Sequence, residues 1–471
     1  MLLYKNITGA VIILITTILA HGSVIEIGPN DVIISQEAGW QGNPNIDALY
    51  PTLAYNSTDN NFVAIWSSNA NAAGSEIYAR LISANGIPIG NQVNVSDIPN
   101  SDNLPAYDPD IVYNPIQNEF LVVWYNDQEI FARRLGADLT VLGAEIQISD
   151  ISPLPTRTAV RPHVAFNTLD DEYLVVWYSD DPAAGLSENE FEVFGQRLTG
   201  EGVEIGANDF RVSDVADNGD ASRDAKQLGV AFNSFSGEYL VIWVADDDQE
   251  GQVDQEFEVF GQLLSADGVE MGVNDFRIST MGGIGEVEFD ASYPAVAANN
   301  YNGDWMVVWH GDDNSTGLID GEFEIHGQLL SEAGQFLDKI RLSAMGGTGN
   351  TDYLAYRPDV IFNPVTREFL VSFQSDGPIW QGSEPDDDEY EIWVRRLNES
   401  GEQTGILTMI SDMGDLGSAF DARTSALAVD HNGETMVIWN GSDDTHGGAV
   451  GEFGVFGQKL AETPIFSDGF E

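Results

Sequence analysis

Three loops of this chain repeat one arrangement of carboxylates. Asp180 and Asp181 precede Glu188 and Glu190, Asp246 and Asp247 precede Asp254 and Glu256, and Asp312 and Asp313 precede Asp320 and Glu322. A further glutamate closes each loop, as Glu192, Glu258 or Glu324. A weaker form sets Asp376 before Asp386, Asp387, Asp388, Glu389 and Glu391, and a last one keeps Asp443, Asp444 and Glu452. Each loop returns two groups of hard oxygen ligands to the base of one hairpin. Calcium takes about 6–8 oxygens at about 2.3–2.6 Å, so calcium is the expected cofactor. The loops lack the register of an EF-hand, and any one of them alone reads as a solvated charge run. It is the recurrence at fixed spacing that makes the twelve named residues of the first three loops candidate metal ligands.

A second set of residues could bind or transform an anion. His310 follows a tryptophan, and His446 lies in an acidic loop. Joined by Tyr356 and Arg357 they would provide a base, an acid and a carboxylate clamp, the parts of a uronate lyase. Their wide separation in sequence gives this enzyme reading no geometry. Arg357 and Arg423 are scarce cations that follow Met-Gly segments, and they suit a carboxylate or sulfate on a ligand. Other catalytic signatures are missing. There is no Gly-x-Ser-x-Gly nucleophile turn and no Ser-x-Asp-x-Gly-x-Thr-Trp turn of the sialidase type. Among so many acids no pair can be singled out for glycoside hydrolysis.

The elements that carry these residues recur seven times. An apolar run such as Pro162 to Asn167 opens a unit, and a second run ends in an aromatic: Trp66, Trp124, Trp177, Trp243, Trp309, Phe373 and Trp439. An acidic loop, a third run such as Glu192 to Leu198, a glycine hairpin and a short outer run complete it. Four short β runs per unit predict one blade of a β-propeller. Residues 26–35, EIGPNDVIIS, match the unit ending EIGANDFRVS at 204–213, while the last unit stops near Leu460 without an ending. The expectation is an all-β, seven-bladed propeller over residues 23–461, with four-stranded blades and the last blade closed by the N-terminal strand. The long loops then share one face, where the Met-Gly connections and Arg357 rim the central channel. Met281, Met345 and Met413 read as apolar stoppers between blades.

The string from Trp177 through Val193-Phe194-Gly195-Gln196-Arg197-Leu198 to Gly202 and Gly206 resembles the repeats of large secreted bacterial repeat and adhesin-like proteins. That resemblance implies a secreted propeller and supplies no catalytic residues. Units one, two and six depart from it, with Ala79-Arg80, Ala132-Arg133 and Val394-Arg395 in place of Gly-Gln.

Composition narrows the partners. The 471 residues include 76 acidic and 19 basic side chains, for a net charge of −57, and no cysteine. Disulfides, thiol catalysis and a lipid-modified cysteine are thereby excluded. A field of this sign repels nucleic acid and anionic membranes. Residues 1–22 read as a signal peptide, with Lys5, an apolar stretch from Val11 to Leu19 and small residues at Ala20 and Gly22, so a secreted or periplasmic location is expected. A retained anchor is the alternative for that stretch, and no later segment is apolar enough to span a bilayer. Residues 462–471 form a tail. The sequence as a whole favours a monomeric binding or adhesion protein with a glycan or protein ligand, over a polysaccharide lyase or glycosidase at the channel mouth.

Overall fold

The computed structural model describes residues 24–36, 47–71, 74–96, 105–126, 128–151, 157–215, 219–247, 253–377, 389–413, 420–443 and 452–462. The predicted signal peptide and residues 463–471 lie outside them. Seven four-stranded antiparallel sheets form a ring, and six of them run in chain order from an inner to an outer strand. The seventh joins Ala422–Val429, Thr435–Gly441 and Gly454–Glu462 to the first strand of the chain, Val24–Ile33. The pairing of Val24 with Glu462 and of Ile33 with Phe456 closes the ring. Blades are numbered here from Ala48–Asn56, the inner strand of blade 1.

The second strand of each blade lies between two neighbours and is apolar through its centre, as a strand covered on both faces must be. Tyr239 to Ala245 are all buried, as are Trp305 to Gly311. The terminal tryptophans stack on an aromatic of the third strand: Trp66 on Tyr78, Trp124 on Phe131, Trp177 on Phe194, each with ring centroids about 6.5 Å apart. Blade 6 reverses the pair. Phe373 stands opposite Trp393, so the large ring has moved to the neighbouring strand and the layer stays filled. Met281, Met345 and Met413 are buried in the connections between blades. A Cβ on Gly311 would come within 2.7 Å of the Met281 sulfur, which explains the glycine there.

Cross-blade hydrogen bonds at the outer edge explain both the repeated ending and its exceptions. In blades 3, 4 and 7 the outer strand is one residue longer from glycine to serine (Gly206 to Ser213, Gly272 to Ser279, Gly28 to Ser35) than in blades 1, 2 and 6 (Gly90 to Ser96, Gly143 to Ser149, Gly405 to Ser411). The extra residue makes a bulge with Asp209, Asp275 or Asp31 in left-handed backbone. The third-strand glutamine accepts the main-chain N–H of that aspartate: Gln196 from Asp209 at 3.0 Å, Gln262 from Asp275 at 3.0 Å, Gln458 from Asp31 at 3.3 Å. The aspartate then accepts a main-chain N–H from the preceding blade, of Asp150, Asp214 or Asp412 respectively. In blades 1, 2 and 6 an arginine replaces the glutamine and spans the same gap. Arg80 donates to the Ile34 carbonyl, Arg133 to Val95 at 2.6 Å and Arg395 to Leu342 at 3.2 Å. Blade 5 uses Lys339, which donates to the Thr280 carbonyl at 3.2 Å.

A second tier of bonds ties the opposite face. Asn233 and Asn363, at the ends of inner strands, donate to the carbonyls of Gly303 and Gly433 in the next blade. Removing a clasp leaves buried partners without hydrogen bonds, a loss of about 1–3 kcal/mol each. We expect Asp275→Ala and Arg133→Gln each to lower the free energy of unfolding by about that amount, read by chemical denaturation. A change indistinguishable from that of an exposed-site control such as Glu201→Gln would contradict the clasp role.

Candidate functional site at the channel mouth

Near the start of every inner strand the pairing with the second strand slips, and one residue at the slip takes left-handed backbone. These seven residues are Tyr50, Asp108, Arg161, Gln227, Tyr293, Arg357 and Thr424, with φ from 42 to 53°. A non-glycine residue in this region carries strain of about 1–3 kcal/mol and persists only where its surroundings fix it. Here the main-chain N–H groups are held from the side. His310 Nδ1 accepts from Arg357 at 3.4 Å, Gln374 Oε1 from Thr424 at 3.0 Å, and Gln227 Oε1 from Tyr293 at 2.8 Å. His310 and Gln374 each follow the terminal aromatic of a second strand, so one blade sets the backbone of the next.

The seven residues line one cavity of about 400 Å³ on the channel axis. Inner strands start on the face that bears the acidic loops, so the cavity opens there. Arg161 pairs with Asp108 at 3.3 Å, beside the Tyr293 phenol. Arg357 donates to Thr424 Oγ1 at 3.1 Å and to the Tyr293 hydroxyl at 3.3 Å, with its guanidinium 4.6 Å from the Tyr293 ring centre. Among the described residues its side chain thus meets hydroxyls and no carboxylate. One tier deeper, Asp110 accepts from Ile111 N at 2.8 Å, Val164 N at 3.0 Å and Thr52 Oγ1 at 3.2 Å, and lies 3.4 Å from His163 Nδ1. Asp359 accepts from Val360 N at 2.8 Å and Leu427 N at 3.0 Å. Asp110 and Asp359 therefore stitch adjacent inner strands together. Burial, with Asp110 nearby, pushes the Asp359 carboxyl up to about 7.

His310, Tyr356 and Arg357, far apart in sequence, meet here. The His310 ring lies 5.2 Å from Tyr356 and is stacked 5.5 Å from Tyr293. His310 is only 5% exposed, and burial, then Arg357, pushes it down to about 3. It stays neutral and its Nδ1 already accepts a hydrogen bond, so it positions Arg357 rather than facing the cavity. Tyr356 is half-buried between His310 and Tyr390. Arg423 stands one residue before the ring, bonded to Asp421 at 2.9 Å beside the Tyr390 ring. His446 falls outside the described residues. Sequence reasoning passed over Arg161, Asp108, Tyr293, Asp110 and His163. The one signal near them is a residue-proline dipeptide at the inner run of five of the seven blades, Tyr50-Pro51, Asp108-Pro109, Arg161-Pro162, Tyr293-Pro294 and Arg357-Pro358.

The acidic loops use their carboxylates to hold backbone. Asp180 accepts from Thr158 N and Asn189 N, Asp246 from Asp224 N and Gln255 N, and Asp312 from Asp290 N and Gly321 N, all at 2.8–3.0 Å. Each clamps its own loop to the preceding interblade connection. Asp181 and Asp313 cap short 3-10 turns, and Asp313 also meets Lys339 at 2.8 Å. Glu190, Glu256 and Glu322 accept from the connection that follows, at Gly219, Gly285 and Gly349. Asp247 is buried, while Glu188, Asp254 and Asp320 are exposed. The closing glutamates Glu192, Glu258, Glu324 and Glu391 take the hydroxyls of Ser213, Ser279, Ser343 and Ser411. Among the described residues no three His, Asp or Glu side chains gather as a metal site.

No family model matches the chain, and no curated protein matches it. Solved structures similar to it include a protein of unknown function from Dyadobacter fermentans, 12% identical over 93% of this chain and 99% of that one, with a TM-score of 0.49. An alpha-L-arabinanase from Penicillium chrysogenum, complexed with arabinobiose, is 13% identical over 92% and 98%, with a TM-score of 0.46. A NanB sialidase mutant from Streptococcus pneumoniae is 11% identical over 93% and 71%, with a TM-score of 0.44.

Burial gives these carboxyls a measurable signature. Desolvation raises Asp209, Asp275, Glu258, Glu324 and Asp359 to about 7 and Glu192 and Glu391 to about 8. The folded chain holds these protons where the unfolded chain, with ordinary carboxyls near pH ~4, has lost them. Their contribution to stability is complete below that range and is lost as pH rises through about 7–8. His310 and His326, pushed down to about 3 and about 4, oppose this only below pH ~6.5. Tm should therefore fall steadily from pH ~6.5 to ~8.5 at constant ionic strength. A flat or rising Tm over that range would contradict the buried, protonated carboxyls.

Proposed function

We propose that the chain is a secreted, monomeric, non-catalytic binding propeller that holds a short stretch of saccharide at its channel mouth. Arg357 carries this reading. In a chain of net charge −57 a guanidinium is kept at the mouth on neutral hydroxyls, and it retains N–H donors for a ligand. The cavity, about 400 Å³, has the size of a small-ligand site and not of a protein-docking surface. Tyr50, an exposed aromatic, lines it with a flat apolar face edged by a hydroxyl, which suits the mixed surface of a sugar. The charge of the chain disfavours nucleic acid. Among the described residues no helix is long and apolar enough to cross a membrane, and the leader-like residues 1–22 support export.

One observation favours a second reading, a lyase or glycosidase. The His163 imidazole is 44% exposed in the same cavity and its Nδ1 lies on Asp110, the arrangement of an oriented base. Calcium enters the proposal as a stabiliser of the acidic loops. Its support is Glu322 Oε1, a buried carboxylate oxygen to which no described group donates; a chelator should then lower Tm at low salt, and an unchanged Tm would remove calcium.

A panel of extracellular polysaccharides, scored for retention and for new reducing or unsaturated ends, tests the two functional readings together. Retention without new ends, lost in Arg357→Gln, is the expected result. Turnover that disappears in His163→Ala would overturn the non-catalytic reading.

A further inference from the structure

Two guanidinium groups converge on one phenol. Arg357, from blade 6, hydrogen-bonds to Tyr293 of blade 5 and Arg161, from blade 3, lies beside the same phenol, which brings two like charges together in a partly desolvated cavity. Asp108 meets Arg161 at 3.3 Å and is the acid of the seven-residue ring. The acids one tier down are already engaged. Asp110 and Asp359 each accept main-chain N–H groups from two adjacent inner strands. Burial pushes the Asp359 carboxyl up to about 7, so it is only partly ionised near neutral pH. Among the described residues no carboxylate contacts Arg357, whose guanidinium has only hydroxyls and the Tyr293 ring as partners at the point where the two arginines meet.

We propose that the ligand supplies the carboxylate partner that Arg357 lacks, and that the saccharide bound at the mouth is acidic, its carboxylate bridging Arg161 and Arg357. The inference rests on the channel-mouth reading above. A carboxylate offers two coplanar oxygens, which two guanidinium forks can share with good geometry. A neutral sugar would displace water from both cations and return no charge, so desolvation would go uncompensated. His310, which fixes the Arg357 main chain, and Tyr293, which lies under its guanidinium, hold that side of the clamp before any ligand arrives.

Calorimetric titration with oligosaccharides in three matched forms, uronate, carboxyl-reduced and sulfated, tests the assignment on the unmodified chain. The uronate form should bind at least about tenfold more tightly than the carboxyl-reduced form, and its affinity should fall as salt is added. In Arg357→Gln that preference should vanish. It should survive in Arg367→Gln, which removes the same charge from the opposite face, where Arg367 pairs with Glu399. Equal affinity for the uronate and carboxyl-reduced forms would overturn the acidic-ligand inference while leaving a saccharide site in place. Tighter binding of the sulfated form would overturn the carboxylate. Failure of all three forms to bind would reject the saccharide reading itself.

Discussion

The structure depends on a ring that has to close. Each blade buries one face of its sheet against the next, so no blade has a complete core without two neighbours. Seven apolar clusters lie between the sheets, and the one joining blades 7 and 1 contains Ile34, Ala48, Leu53, Trp66, Ile438 and Val455. Ile34, which follows the N-terminal strand, donates its main-chain N–H to the Val455 carbonyl at 2.7 Å. With no cysteine available, these edge-to-edge contacts hold the ring without disulfide cross-links.

Closure also sets the chemistry at the mouth. The inner-strand residues that face the axis have strained backbone, and the groups relieving that strain come from adjacent blades: His310 for Arg357, Gln374 for Thr424, Gln227 for Tyr293. Outer-edge clasps tie each blade to the one before it. In the six blades other than blade 5, which uses Lys339, two clasp chemistries reach the same end. A longer outer strand brings an aspartate and needs a glutamine beneath it; a shorter one leaves a gap that an arginine crosses.

Much of this was legible as pattern. Seven terminal aromatics, four runs per unit and a displaced EIGPNDVIIS are enough to demand a closed propeller, and the structure has one. The Ala-Arg and Val-Arg replacements were visible as departures, yet their meaning depends on a one-residue difference in a strand elsewhere in the blade. Phe373 was visible as the one terminal aromatic that is not tryptophan, and Trp393 opposite it on the facing strand makes up the volume. Arg357 could be noticed because cations are scarce. Arg161 could not, since its place at the mouth comes from a left-handed bulge that sequence marks only by a following proline. The acidic loops suggested a metal because their spacing repeats, and that same spacing serves loops whose carboxylates clamp main-chain N–H groups of two connections.

The central claim is that the N-terminal strand completes the ring and thereby shapes the mouth. Hydrogen exchange on the intact chain and on one lacking residues 24–35 tests it most directly, because exchange reports opening segment by segment. The account predicts that protection is lost across blade 7 and into the inner strand of blade 1, including the main-chain N–H groups around Thr424 and Tyr50. Loss confined to residues 454–462, with the mouth still protected, would contradict it.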